Sequence, residues 1–296
     1  MSLATTPPIL ITGASGTLGL AFKRVCRIRG LHTITLDRAA LDIADEAAVA
    51  RALGRYQPWA IVNAAGYVRV DEAEADADRC YRENTTGPGL LAAACAAQGV
   101  QLLTFSSDLV FDGQQTTPYR EDSAPRPLSV YGHSKLLAEQ TVLAKLPTAL
   151  VVRTSAFFSA WDEQNFVYHA LTAARRGEAF EAADDLLISP TYVPDLVNTS
   201  LDLLLDRACG LWHLANAGTY TWAELARLAL RLAGLDEACV VPRPAASLGW
   251  AARRPRYSAL ASVHGSLMPS VESGLHRHLE DERLLAMANP PAILVG

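Results

Sequence analysis

The sequence predicts the α/β class, a doubly wound parallel sheet followed by a smaller second domain. Short apolar runs alternate with amphipathic helical stretches through the first half of the chain, the pattern of buried parallel strands joined by crossover helices. A turn with three spaced glycines joins the first apolar run to the first helical stretch. Beyond about Ser155 the alternation loosens, and residues 157–185 mix aromatics with charges.

The elements follow in order. Ile9 to Ile11 reads as a buried strand and leads into Thr12-Gly13-x-x-Gly16-x-x-Gly19. A helix then carries Leu18, Phe22, Val25 and Cys26 on one face and ends at Gly30. His32 to Leu36 is the second strand, with Asp37 at its end. Further strands are expected at Ala60–Asn63, Leu102–Ser106 and Leu150–Arg153, each after an Ala- or Leu-rich helical segment. A capping box, Thr221-x-x-Glu224, opens a later helix with Leu225, Leu228, Ala229 and Leu232 on one face, closed by Gly234. The Pro-, Ala- and Arg-rich stretch Pro242–Pro255 reads as a mobile loop near a site. The division expected is 1–155 for a dinucleotide-binding domain and 156–296 for a substrate-binding one, with parts of about 190–225 returning to the first.

Composition narrows the function. With 296 residues, half of them hydrophobic, 19% charged and a net charge of −5, the chain is an ordinary globular one, neither disordered nor fibrous. Its densest cationic cluster, Arg253, Arg254 and Arg256, is too small to neutralise a phosphate backbone, which excludes nucleic acid as partner. Five scattered cysteines without a C-x-x-C pair indicate free thiols in a reducing compartment. Met1 to Pro8 has no cationic leader region, and no apolar run approaches the roughly 18 residues of a membrane span, so a cytoplasmic, membrane-free protein is expected.

The glycine turn lies between a strand and a helix, the setting in which Gly13 permits the tight turn, Gly16 lets the backbone approach a pyrophosphate, and Gly19 lets helix and sheet pack closely. This is the Rossmann fingerprint. The acid expected on the adenosine ribose is Asp37, 18 residues after Gly19. Arg38 follows it at once and is suited to the 2′-phosphate of NADP, so NADPH and NADH both stay open as cofactor.

Tyr131-Gly132-His133-Ser134-Lys135 sets a phenol and an ammonium four residues apart, on one face of a helix supported by Leu136 to Leu146. A ketone that receives hydride needs a proton on oxygen, and a neighbouring lysine cation lowers the pKa of the tyrosine that gives it. Nine tyrosines and three lysines make only about 0.09 such pairs by chance, so the pair carries weight downstream of the glycine turn. Ser107, at the carboxyl end of the Leu102–Ser106 strand, is positioned to orient a substrate carbonyl; its alternative is a turn serine.

Taken together, these residues resemble the extended short-chain dehydrogenase/reductases and, within them, the dTDP-4-dehydrorhamnose reductase family. The resemblance runs through Thr12 to Gly19, Asn63-Ala64-Ala65-Gly66, Val70-Asp71-Glu72-Ala73-Glu74, Ser107 to Gly113, Tyr131 to Glu139, Arg153-Thr154-Ser155, Pro190-Thr191 and Arg254 to Leu260. It implies Tyr131 as catalytic acid, Lys135 as its partner and Ser107 in the family's Ser/Thr place. It implies Gly13, Ser15, Gly16, Thr17 and Leu18 around the pyrophosphate, Asp42 and Ile43 at the adenine, and Ala64, Ala65 and Gly66 at the middle of the cofactor. It places Asn84, Ser107, Asp108, Leu109, Ala156 and Arg254 at a nucleotide-sugar substrate, and gives a homodimer as default.

Two positions depart from the family pattern: Leu109 and Ala156 stand where aromatic Tyr and Trp are usual, which implies a larger or differently shaped sugar pocket. Leu109 also replaces the acid that dehydratases carry there, which argues against 4,6-dehydration. The expected reaction is hydride transfer from NAD(P)H to C4 of a nucleotide-linked 4-keto-6-deoxy sugar. Three other functions remain open: an NAD-dependent sugar-nucleotide 4-epimerase, a non-catalytic NADP-binding subunit similar to the regulatory subunit of methionine adenosyltransferase, and a reductase of unrelated small carbonyl compounds.

Three weaker signals are read blandly. The acidic run from Asp71 to Asp78 is expected to be a solvated face balanced by Arg79 and Arg82, and His276 and His278 to be surface histidines; no metal is assigned. Arg254 reads equally as a surface arginine and as a diphosphate ligand.

Overall fold

The computed structural model describes residues 6–288; residues 1–5, part of the stretch read for a leader, and residues 289–296 lie outside the described residues. The first half contains β1 (Ile9–Thr12), α1 (Thr17–Ile28), β2 (Thr33–Leu36), α2 (Glu46–Tyr56), β3 (Ala60–Asn63), α3 (Ala77–Tyr81), α4 (Gly87–Gln98), β4 (Gln101–Ser107), α5 (Val130–Lys145) and β5 (Leu150–Thr154). The second half adds β6 (Phe157–Phe158), α6 (Phe166–Arg175), β7 (Phe180–Ala183), β8 (Leu187–Ile188), β9 (Thr191–Tyr192), α7 (Val193–Leu205), β10 (Gly210–His213), β11 (Tyr220–Thr221), α8 (Trp222–Ala233), β12 (Val240–Arg243) and α9 (Val271–Ala288).

Six strands form one parallel sheet in the order β10-β5-β4-β3-β1-β2. Every residue of β1, β3 and β5 is buried, which is why these strands read as unbroken apolar runs. Alternate residues serve opposite faces. Ile9, Ile11, Val62, Leu103 and Val152 pack under α1 and α7; Leu10, Ile61, Leu102 and Val151 pack under α2, α4 and α5. The order in which strands are added reverses between the parallel neighbours β1 and β3, so the connections leaving their carboxyl ends run to opposite faces and leave a crevice, the place where doubly wound sheets bind ligands. A buried chain of hydrogen bonds pins this point: Thr12 Oγ1 donates to Asn63 Oδ1 at 2.7 Å, and Asn63 Nδ2 donates to Thr104 Oγ1 at 3.1 Å.

Residues 193–213 belong to the sheet. Helix α7 covers α1 through Val193, Leu196, Val197, Leu201 and Leu204, and β10 extends the sheet beside β5. A second core, from α6, α8 and the start of α9, stands beyond the carboxyl ends of the strands. The capping box holds as read: Thr221 Oγ1 accepts from Glu224 N, and Glu224 Oε2 accepts from Thr221 N.

Three expectations are corrected. Pro242–Pro255 is not a free loop: Pro242 and Arg243 lie in β12, Ala245 N donates to Asp185 Oδ1 at 2.8 Å, and Arg254 is held by Asp71. The acidic run is answered elsewhere, because Asp71 pairs with Arg254, Glu72 with Arg69, and Glu74 accepts from Val130 N, while Arg79 pairs with Glu83 and Arg82 with Asp42. His278 is fully buried against Phe158 rather than at the surface.

Candidate active site

Two adjoining clefts open at the carboxyl edge of the sheet. The first, of about 380 Å³, lies over the β1–β3 crevice and is lined by Gly13, Ser15, Gly16, Thr17 and Leu18 on one side and Ala64, Ala65 and Gly66 on the other. Arg38, Asp42 and Ile43 close its far end. Gly13 has φ +65°, and a Cβ there would meet the Ala64 carbonyl carbon and oxygen at 2.6 Å. Helix α1 starts at this spot with no side chain capping it, so its first N–H groups are free to meet an anion together with the positive end of the helix dipole. An uncapped helix start above a turn of small residues fits a dinucleotide pyrophosphate, with Thr17 Oγ1 beside it donating to Asp162 Oδ2 at 2.6 Å. Gly19 lies outside the cleft, where a Cβ would sit 2.2 Å from Gly13 O; it sets how closely helix meets turn. A Gly13→Ala variant is expected to lose at least about tenfold in dinucleotide affinity, read by equilibrium fluorescence titration, because the new methyl strains the turn and pushes the Ala64 loop into the cleft. Unchanged affinity would separate this turn from the ligand.

Asp37 does not line the cleft. Its carboxylate accepts from Ala40 N at 2.9 Å and closes the turn after β2, so the acid chosen from spacing is spent locally. The acid that does face the cleft at this end, besides Asp42, is Glu83, which no sequence pattern marked. Asp42 is held by Arg82, whose guanidinium keeps its carboxyl below the usual carboxylate range.

The second cleft, of about 370 Å³, shares Val68 and Phe157 with the first and is lined by Ser107, Asp108, Leu109, Tyr131, Ala156 and Arg254. Tyr131 stands in the first turn of α5, set by the Ser129 cap, whose hydroxyl accepts from Gly132 N at 3.1 Å. The phenol faces the Ser107 hydroxyl. Burial and the neighbouring Asp108 push its pKa above the ordinary tyrosine value, so the group is protonated at neutral pH. Lys135 Nζ lies 5.7 Å from the Tyr131 ring centre and donates to Phe105 O at 3.3 Å. The lowering of the tyrosine pKa expected from the sequence does not prevail at Tyr131, where burial and the Asp108 charge outweigh it. Burial instead pushes the lysine itself down to about 8.

Asp108 is buried and accepts from three serines, Ser107 at 3.0 Å, Ser155 at 2.8 Å and Ser258 at 2.6 Å, gathering the ends of β4 and β5 and the 254–260 segment at one carboxylate. Burial still pushes its pKa up. Asp108 thus organises the wall from behind. Asn84 does not reach either cleft. In the π-helical turn Arg82–Thr86 its side chain accepts from Tyr67 N at 2.8 Å and donates to Tyr67 O and to Ser134 Oγ, fastening the 66–68 loop to α5. Its place is structural because every polar atom of the amide is used inside the protein.

Leu109 and Ala156 both face the second cleft, and Ala156 holds a left-handed backbone, φ +40°. Aromatic surface comes from other elements: Phe157 from β6 and Trp222 from the first turn of α8, with Leu186 and Ile188 beside them. Trp222 was visible in the sequence only as the start of a helix. Arg254 is bidentate to Asp71, at 3.0 and 2.6 Å, and stacks over Trp250, so it reaches the cleft mouth as half of an ion pair.

Residues 7–273 match the family model described as the RmlD substrate binding domain. The chain is similar to a dTDP-4-dehydrorhamnose reductase of Streptomyces griseus, with 38% identity over 266 residues, 88% of this chain and 87% of that protein. It is similar to a dTDP-4-keto-6-deoxy-D-glucose reductase of Streptomyces niveus, with 34% identity over 253 residues, 85% of this chain and 87% of that one. Among solved structures it resembles dTDP-4-dehydrorhamnose reductase from Bacillus anthracis in complex with NADP, at 31% identity and TM-score 0.88 over 94% of this chain and 100% of that one.

Proposed function

Because the chain belongs to the RmlD substrate binding domain family, we propose that it is an NAD(P)H-dependent reductase acting on a nucleotide-linked 4-keto-6-deoxy sugar. The observation that carries this reading is the meeting of Tyr131 and Ser107 where a dinucleotide-sized cleft joins a second, mixed polar and apolar cleft. The bound dinucleotide supplies the hydride. Everything else falls to the chain's own side chains.

Gly13 to Leu18 and the Ala64–Gly66 loop hold the pyrophosphate and the centre of the dinucleotide, so that its reactive end lies toward Val68, Phe157 and Tyr131. Ser107 turns its hydroxyl from Asp108 to the substrate carbonyl and fixes that oxygen beside the phenol. Tyr131, protonated before the reaction, gives its proton to the oxygen as negative charge develops there. Lys135 then stabilises the phenolate left behind through its charge. Phe157 and Trp222 offer flat apolar faces to the sugar or base, and Arg254 stands at the mouth as half of its ion pair with Asp71. The substrate is a small molecule; the protein itself is read as acting in the cytoplasm, as a homodimer.

Two measurements test this. NADH and NADPH oxidation is followed with a freshly generated dTDP-4-keto-6-deoxyhexose; binding of dinucleotide and sugar nucleotide without any oxidation would retire the reductase reading in favour of epimerisation or regulation. The second is a pH profile. A lysine with a lowered pKa is charged below it and neutral above it, so kcat/KM should fall as pH rises through about 8 as the ammonium is lost. A profile flat to about pH 10, the ordinary lysine range, would remove Lys135 from the chemistry.

A further inference from the structure

The adenosine end of the dinucleotide cleft is crowded with charge, and all of it is already paired. Arg38 donates through Nη1 to Glu83 Oε1, and Arg79 Nε donates to the same oxygen at 2.7 Å. Arg82 donates to both oxygens of Asp42, at 3.4 and 2.7 Å. Arg38, Asp42 and Glu83 line the cleft itself. Glu83 is the anchored member of the group, with its side chain 12% exposed against 54% for Arg38 and 45% for Arg79. The two guanidinium groups keep its carboxyl below the usual range in spite of its burial. It sits in the π-helical turn whose next residue, Asn84, is locked into the interior, so its backbone has little room to withdraw.

NADH and NADPH differ at this end by one group, a ribose hydroxyl that can donate to a carboxylate versus a phosphate dianion that needs cations. We propose that Glu83 sets the choice between them by withholding Arg38 from the 2′-phosphate, an inference that rests on the dinucleotide reading of the cleft. A phosphate arriving here finds no guanidinium without a carboxylate partner and meets the charge of Glu83 beside the group it needs. A ribose hydroxyl meets an acceptor. Selectivity is thereby set from the turn before α4, 45 residues along the chain from Arg38, rather than by the acid that ends β2.

The test uses ligands that contain only this end of the cofactor. Adenosine 2′,5′-bisphosphate and AMP are titrated calorimetrically into the wild-type protein, Glu83→Gln, Arg38→Ala and the double variant. Glu83→Gln is expected to raise bisphosphate affinity about tenfold and to change AMP affinity by less than about twofold, a gain that salt erodes. Adding Arg38→Ala should erase the gain, while Arg38→Ala alone should move the bisphosphate-to-AMP ratio by less than about threefold, because the guanidinium was never available. Thermal melts confirm folding, and Arg38, being exposed, gives a variant that does not depend on how Glu83 is tolerated. A ratio unchanged in Glu83→Gln, or one already lowered about tenfold by Arg38→Ala alone, overturns the assignment of Glu83 and leaves the dinucleotide reading standing. Failure of both nucleotides to bind the wild type would overturn the dinucleotide reading and this inference with it.

Discussion

Replacing Tyr131 by Phe is expected to lower kcat by about 10²- to 10⁴-fold while leaving dinucleotide affinity within about twofold, the range usual for removing a positioned general acid. The phenol ring lines the wall of the second cleft, and Phe keeps that wall. Only the proton is removed. Ser107 can still hold the carbonyl, but its own hydroxyl is a far weaker acid and is committed to Asp108 in the resting site. The same reasoning predicts that KM moves little, since the lost interaction strengthens only as charge builds on the carbonyl oxygen. Stopped-flow or steady-state oxidation of NAD(P)H, with binding measured beside it, gives both numbers. Retention of more than about a tenth of wild-type kcat would remove Tyr131 from the reaction and return weight to a cofactor-binding subunit without chemistry.

The second large effect is on stability. Glu139, on α5, accepts from Arg153 Nε at 2.7 Å and Nη2 at 2.6 Å, and both side chains are almost wholly buried, 5% and 3% exposed. Ser106 donates to the same carboxylate, Phe111 lies 5.0 Å under the guanidinium, and His213 accepts from it at 3.3 Å. Burial drives the His213 pKa down to about 4, so the ring is neutral, donates through Nδ1 to Ala261 O at 2.9 Å and is free to accept at Nε2. Glu139→Ala leaves a buried guanidinium with no counter-charge, which costs about 3–5 kcal/mol. For a chain of 296 residues that corresponds to a fall of about 5–8 °C in Tm. Removing both charges together, as Glu139→Leu with Arg153→Met, should recover most of the loss, because two apolar groups of similar volume pay no desolvation. A single variant within about 1 kcal/mol of wild type would mean that water or a relocated Asp answers Arg153.

How far the sequence could be read depends on whether a feature is local. The strands and the glycine turn are encoded in contiguous residues, and β1, β3 and β5 appear within a residue or so of where their apolar runs put them. Tyr131 and Lys135 are likewise one helical turn apart. Spacing alone misjudged Asp37, because a carboxylate at a strand end can equally close its own turn, and here the Ala40 amide takes it. Trp222 and Glu83 were hidden for a different reason. Each is brought to its cleft by chain that returns from far away, one by the start of α8 directly after β11, the other by a π-helical turn that shifts the register of the helix leading into α4. His278 was misread although it falls on the face of α9 that carries Val271, Leu275 and Leu279, because a titratable side chain reads as a surface group whatever its neighbours at helical spacing.

The return of α7 and β10 to the main sheet also has a consequence for how such a protein can diversify. The chain passes from the sheet to the outer core after β5, comes back at residue 193, and leaves again after residue 213. A lobe threaded in this way cannot be exchanged as a cassette, since cutting near Ser155 would strip the sheet of its sixth strand and bare the apolar underside of α7. Changes to the lining of the second cleft, at such places as Leu109, Ala156 and Trp222, leave that threading intact and so keep the nucleotide half whole.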